Sequence, residues 1–479
     1  MTTSFLRVHN TDIVHADDLS PILLRGAGLG GWMNMENFIT GYPGHEHEMR
    51  NAMREVLGAE KYKYFFDKFL EYFFTDADAR AFKALGLNCI RIPINYRHFE
   101  DDLVPRVFKK EGLRHLDRVV EICASHGIYT IIDLHAAAGG QNTDWHSDAG
   151  THKALFWEYE DFQDRTVKLW EWLAEVCVVQ RWHYKDNPWI AGYNPLNEPT
   201  DAKHTRLVAF YERIEKAIRA VDPRHILFLD GNTFGSDLTA FMGKPALPNC
   251  VYAIHDYTSF GFPNPPEVYV GSDKQREILK RSYERKIKYM KEINGPIWNG
   301  EFGPVYAAAS DPSAASTNES RYRALEDQLK LYDTAPRASW SIWLWKDIGF
   351  QGMVYVDERS AYMRLLKPWL EKKKQLVLDA WGADDTPVRE LFRPLEEWIH
   401  ASSPALRDKY PSTWNERRYL RRVVRETLLS ESLCAEYAEY FRGKSMEELD
   451  ELARSFELGR CVQRDRLNEI LRAHRGADV

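Results

Sequence analysis

The sequence predicts an α/β protein, a TIM (β/α)8 barrel with a helical C-terminal extension, and three observations carry that expectation. Short apolar runs alternate with longer amphipathic stretches, the pattern of repeated strand–helix units on a parallel sheet. The units number eight, the count at which such a sheet closes. The residues with chemical potential gather where the apolar runs end, which is where a barrel of this kind carries its active site.

In chain order the strand candidates are residues 22–32, 88–94, 129–135, 190–197, 226–231, 251–257, 297–302 and 340–346. Each is a short apolar run closed by turn-forming or polar residues. Residues 76–85, 112–126, 207–221, 274–293 and 318–332 repeat apolar residues at helical spacing. Residues 173–183 change from charged and amphipathic to β-branched, which reads as a local insertion. The barrel with its short N-terminal segment is assigned to residues 1–384 and the helical extension to 385–479. In and before that extension, 367–378 and 388–400 read as helices. Residues 415–429 carry Arg417, Arg418, Arg421, Arg422 and Arg425 largely on one helical side, as a solvated face or as ion pairs with the barrel. A last helix starts at Ser445, with Glu448 completing a capping box and Gly459 near its end.

Composition narrows the partner. The chain is 44% hydrophobic and 28% charged with a net charge of −7, so no global basic field favours nucleic acid or an anionic membrane. Its 15 Trp, 24 Tyr and 23 Phe supply core and stacking surfaces for a neutral substrate. No apolar run reaches the roughly 18 residues of a membrane span. The first 25 residues are polar and show no secretory signal. The six cysteines show no Cys-x-x-Cys spacing and read as reduced buried thiols, giving a cytoplasmic expectation that one sequon, Asn318-Glu319-Ser320, opposes. No cofactor and no metal are expected. The glycine-rich run from Arg25 to Gly31 lacks the spacing of a dinucleotide loop, and His45-Glu46-His47-Glu48 lacks the His-Glu-x-x-His spacing of a zinc helix.

Two acids stand out. Glu198, in Asn197-Glu198-Pro199, and Glu301, in Gly300-Glu301-Phe302-Gly303, each end an apolar run. A carboxylate there is costly unless solvated, paired or used, and two of them are what hydrolysis of a glycosidic bond requires. Singly, each also fits a helix-capping acid. Arg91, His135, Asn197, His255, Tyr257, Trp343 and Trp345 sit at the ends of other runs, and singly each fits a core or ion-pair role. Together they describe a mouth able to orient sugar hydroxyls and to separate two carboxyl pKa values.

These residues resemble glycoside hydrolase family 5 over roughly residues 23–352. The resemblance implies that Glu198 is the acid/base and Glu301 the nucleophile, with Arg91, His135, Asn197, His255 and Tyr257 around the sugar. It places the strand-eight sugar platform on Trp345, with Trp343 on the same face. Three segments, 29–36, 133–142 and 343–346, resemble the fungal exo-β-glucanases and β-glucosidases, which implies that Glu36 binds the terminal sugar and closes the pocket. Asn142, Trp145 and His146 belong to a loop expected on the rim.

The chemistry expected is retention by double displacement, since carboxyls about 5 to 5.5 Å apart leave no room for a water between them. Arg91 and Tyr257 are the candidates to hold Glu301 ionised, whereas burial and the Glu301 charge are expected to raise the pKa of Glu198. His255 is expected to orient Glu198 or Tyr257. The resulting expectation is an exo-acting retaining β-glycosidase releasing terminal β-linked glucose. The alternatives are an endo-β-glycanase or mannanase with an open cleft, a diglycosidase or transglycosidase, and a non-catalytic sugar-binding barrel. The last would normally have lost one of the two glutamates.

Overall fold

The computed structural model describes residues 4–175, 183–308, 310–378, 381, 384–405 and 420–475. Eight parallel strands close into a barrel in sequence order: β1 (Arg25–Gly28), β2 (Cys89–Asn95), β3 (Tyr129–Ala136), β4 (Ile190–Asn194), β5 (Ile226–Asp230), β6 (Cys250–His255), β7 (Ile297–Glu301) and β8 (Ser339–Ile342), with β8 pairing back onto β1. All eight expected strands are present and the fold class is the one anticipated.

Their ends differ, and the differences position the site. β4 stops at Asn194 because Pro195 has no N–H to give the ladder, so Asn197 and Glu198 lie in the following loop and not on the strand. β6 stops at His255, leaving Tyr257 beyond it, and β8 stops at Ile342, before both tryptophans. The candidate 22–32 splits: Pro21–Ile22 joins a three-stranded antiparallel sheet with Leu6–His9 and Asp12–His15, and only Arg25–Gly28 enters the barrel. Leu6 and Ile13 of that sheet pack with Leu24, Cys89, Ile131, Phe228 and Trp298, plugging the barrel at the end where the strands begin.

The C-terminal helices share the barrel's core. Leu433, Tyr437, Phe441, Leu449, Leu452 and Phe456 belong to one apolar cluster with Phe65, Phe66, Phe69 and Phe73 of the long helix Glu46–Phe73. Burial of these aromatic faces ties the segment to the long helix. The strand Cys461–Gln463 pairs with Val354–Val356, which pairs with Lys346–Asp347 just past β8. Helices Ala361–Gln375 and Thr386–Ser402 lie where helices were expected, and Met446–Arg454 starts with the capping box of Ser445 and Glu448. The arginine stripe is no solvated face in its described part: Arg422 and Arg425 are buried, Arg421 is ion-paired with Glu396 at 2.6 Å, and Arg422 is paired with Asp144 of the barrel. Arg417, Arg418, Cys177 and most of the 173–183 stretch lie outside the described residues. The five described cysteines are free thiols, and no helix among the described residues is long and apolar enough to cross a membrane.

Candidate active site

Glu198 and Glu301 meet at the C-terminal mouth of the barrel, where oxygens of the two carboxyls and a ring nitrogen of His255 all lie within 4.8 Å of one another. They line a pocket of about 220 Å³ together with Glu36, His135, Trp145, His146, Tyr257 and Trp343. Arg91 and Asn197 stand directly behind it. The structure thus gathers around one cavity the residues that the sequence singled out, apart from Trp345 and Asn142.

Glu301 is held from two sides. Arg91 Nη1 donates to Oε1 at 2.7 Å and the Tyr257 hydroxyl to Oε2 at 3.0 Å. The fully buried Arg91 guanidinium reaches across the barrel floor, also meeting Asp133 Oδ2 at 3.1 Å, Asn194 Oδ1 at 3.1 Å and Asn197 Oδ1 at 2.5 Å. Burial opposes its charge, but Asp133 and Glu301 outweigh burial and hold Arg91 above its ordinary value. Burial, and then the charge of Glu301, raise the Tyr257 phenol well above its ordinary value, so it remains a donor.

Glu198 sits in a different environment. Its backbone is left-handed, at φ +46°, a conformation that costs a non-glycine residue of order 1 kcal/mol, and its N–H is held by Asp230 Oδ2 at 2.9 Å. His255 Nδ1 lies 2.6 Å from Oε1 and His146 Nε2 3.3 Å from Oε2. Burial raises this carboxyl as expected, yet the charges and hydrogen bonds of the two histidines outweigh it and hold the group well below the usual carboxylate range. The expectation of a raised Glu198 pKa is therefore corrected for the free pocket: the proton resides on the imidazoles, with His146 pushed up to about 9 against its burial by its bond to Glu198. The sequence could not show this, because His146 reaches Glu198 from the loop after β3.

His135 is a neutral spacer. Burial holds its pKa well below 6.5, Asp133 Oδ2 lies 2.7 Å from Nδ1, and Asn197 Nδ2 lies 3.4 Å from Nε2. Its ring stacks parallel on Trp343 at 5.3 Å between centroids and 2° between planes. Trp343 is the tryptophan that faces the pocket; a Cβ at Gly28 or Gly30 would meet its indole at 2.6 or 2.5 Å, so the glycine-rich run is the space that ring occupies. Trp345, expected as the sugar platform, turns into the core instead, donating to Asp78 Oδ1 at 3.0 Å and packing edge-on against Phe82. The alternation expected of a strand does not extend past Ile342, so the two tryptophans do not share a face.

Glu36 is 4% exposed, and burial raises its carboxyl to about 8. Trp145 Nε1 donates to its Oε2 at 3.1 Å, while Oε1 has no hydrogen-bond partner among the described residues. Asn142 is not on the rim: it is buried, and its amide donates to the Glu198 carbonyl at 3.0 Å, so it positions the Glu198 backbone. Gln141, which sequence reasoning missed, ties the same loops by donating to the carbonyls of His135 and Asn197 at 2.7 and 3.0 Å. Also missed were Phe38, Thr233, Phe234 and Trp381 on the pocket wall. Thr233 and Phe234 carry φ of +53° and +57°, a strained turn no local pattern announces. Trp381 lies far along the chain yet packs edge-on against Tyr257 at 4.9 Å.

Among the described residues, Glu198, His255 and Glu301 are the group close enough to ligate a cation. Their oxygens already accept from a guanidinium, a phenol and imidazoles. That donor set suits proton transfer and displacement at carbon, with carboxyls close enough for direct attack.

The comparisons agree. The family model described as Cellulase (glycosyl hydrolase family 5) matches residues 58–349. A protein named Beta-xylosidase from Phanerodontia chrysosporium is 57% identical over 473 residues, 98% of each chain. A probable glucan 1,3-beta-glucosidase A from Emericella nidulans is 30% identical over 364 residues, covering 69% of this chain and 86% of that one. Among solved structures, rutinosidase from Aspergillus niger superposes with a TM-score of 0.51 at 18% identity, covering 68% of this chain and 90% of that one, which speaks for the fold alone. The chain belongs to glycosyl hydrolase family 5 and is a retaining O-glycosyl hydrolase acting on carbohydrate.

Proposed function

We propose that the protein is an exo-acting β-glycosidase that releases one terminal β-linked pyranose, with xylose the preferred sugar and glucose the second. The observation that carries the reading is Glu36: a buried acid, neutral at pH 7, with one oxygen fixed by Trp145 and the other unbonded on the pocket wall. An unbonded buried oxygen is costly, and a terminal sugar hydroxyl would satisfy it. At about 220 Å³ the cavity lies below the roughly 300–1,000 Å³ of most ligand pockets, a size for a single ring and not a chain.

In this reading Glu301 attacks the anomeric carbon while Glu198 passes a proton to the leaving oxygen. The Glu198–histidine pair supplies that proton, and the same carboxylate then takes one from the water that hydrolyses the glycosyl ester. The Asn197 amide, held by Arg91 through its oxygen, offers its N–H to the sugar 2-hydroxyl. Trp343, backed by His135, is the sugar platform. Preference for xylose is supported by the relative named Beta-xylosidase, and glucose by the relative named glucan 1,3-beta-glucosidase, at lower identity.

The test is a panel of aryl β-xylosides, aryl β-glucosides and the matching oligosaccharides, with early products read by NMR and chromatography. The expected result is a monosaccharide released first as the β-anomer. Early release of longer oligosaccharides overturns the exo reading, and an α-anomer overturns retention.

A further inference from the structure

Arg422 lies in the C-terminal segment, more than 270 residues from the pocket loop in sequence, yet it is 1% exposed and its guanidinium stands over the indole of Trp145 at 4.8 Å. It is also ion-paired with Asp144, the residue before Trp145. Trp145 in turn donates to Glu36, and the Asp144 N–H is held by Asn142 Oδ1 at 2.9 Å, whose amide donates to the Glu198 carbonyl. One cation therefore backs a chain of contacts running to both Glu36 and Glu198. Its own position is fixed by its neighbours. Arg421 pairs with Glu396 at 2.6 Å, and Arg425 donates to the Val377 carbonyl at 2.7 Å. The backbone at Val423–Leu428 is π-helical, a rare geometry that recurs at functional sites.

We infer that Arg422 is a positioning residue for sugar binding, acting through the Trp145 indole to hold Glu36 where it meets the terminal sugar, so that the C-terminal segment completes the pocket. A bidentate-capable planar cation suits the task. It fills the face of the indole and neutralises Asp144 at once, which a lysine cannot do in the same geometry. Loosening it leaves the Arg91 and Tyr257 hydrogen bonds to Glu301 in place, and its link to Glu198 runs through Asn142 to a backbone carbonyl and not to the carboxyl. The larger effect therefore falls on binding, through Glu36, and the smaller on the chemical step.

The inference rests on the reading of Glu36 as the terminal-sugar ligand, and the test separates the two. Arg422→Met, Trp145→Phe, their double variant and Glu36→Gln are compared in KM and kcat on an aryl β-xyloside. Arg422→Met and Trp145→Phe are each expected to raise KM about tenfold with kcat within about threefold, the scale of one lost hydrogen bond to a buried group. The double variant is expected to be no worse than either single, because the two residues act as one unit. An unchanged KM in Arg422→Met, or single effects that multiply in the double variant, overturns the inference. Asp144→Asn breaks the same ion pair from the barrel side and stands in if Arg422→Met does not fold; an unchanged KM there also overturns it. If Glu36→Gln raises KM and Arg422→Met does not, this inference alone fails. If Glu36→Gln leaves KM unchanged, the reading of Glu36 fails first.

Discussion

The two walls of the pocket are built from different material. The Glu301 wall is strand-built: Arg91 of β2, Asp133 of β3, Asn194 of β4 and Glu301 of β7 are ladder residues tied by one guanidinium. The Glu198 wall is loop-built: Glu36, Trp145, His146 and Glu198 lie past strand ends, and a cation from the C-terminal segment backs them. A ladder fixes the direction of each side chain through its pleat, whereas a loop residue stands where its partners hold it. The difference teaches where each wall is vulnerable. Damage to the strand wall should remove chemistry, and damage to the loop wall should change what is bound and how protons move.

The largest expected effect breaks the comparison at its strongest point. Glu301→Ala is expected to lose more than about 10³-fold in turnover on every substrate, the scale at which removal of one member of a catalytic set is felt. Azide is expected to restore turnover to it with an inverted glycosyl azide. Glu198→Ala is expected to fail selectively. Glycosides with poor leaving groups should lose most, activated aryl glycosides least at the first step, and azide rescue should give the retained product. Equal losses in Glu198→Ala across leaving groups, or inverted product from its rescue, would contradict the division of roles.

The same contrast explains what the sequence made legible. Ladder residues such as Arg91 and Glu301 announce themselves, because a polar group set in a short apolar run has few places to go. The barrel and its strand count followed from that, and Arg91 and Tyr257, the candidates to hold Glu301, do bond it, Tyr257 from just past its strand. The loop wall did not follow. The charge of His255 and the hydrogen bond of His146 together reverse the expected direction of the Glu198 pKa, and only the folded loop shows the His146 contact. Trp381 arrives from between two helix candidates, and Arg422 from a stretch that local pattern marks only as charged. The N-terminal sheet, with strands of two to four residues in a polar stretch, was not read from the sequence.

Strand eight sharpens the point within three residues. Period-two reasoning put Trp343 and Trp345 on one face, but the ladder ends at Ile342 and the two indoles part company. Trp343→Ala is expected to lower kcat/KM roughly 10- to 100-fold while changing stability little, since it removes a stacking face at the cavity. Trp345→Phe is expected to do the reverse. It deletes a buried indole and its bond to Asp78 and should cost about 1–3 kcal/mol of stability, with kcat/KM within about threefold. Thermal melts and steady-state kinetics on the pair read the difference, and matching profiles for the two variants would mean that strand eight presents both rings to one environment.

The effect smallest at any one pH step concerns the proton on Glu36, on the loop wall. Burial raises this carboxyl from 4.5 to about 8, so between those values the folded protein binds a proton that the unfolded chain has released. The sign follows: the contribution is present in full below about pH 4.5, falls as pH rises through the window, and is gone above about pH 8. Its slope is at most about 1.4 kcal/mol per pH unit. Glu36→Gln keeps a carbonyl oxygen for the Trp145 N–H and removes the titration. The stability of Glu36→Gln relative to wild type is therefore expected to rise steadily between pH 5 and pH 8, while Asp133, which burial raises to about 7, contributes equally to both proteins and cancels. Denaturant melts at four or five pH values measure it. A stability difference independent of pH would place the Glu36 carboxyl in contact with solvent, and a pocket open at that point is the groove of an endo enzyme.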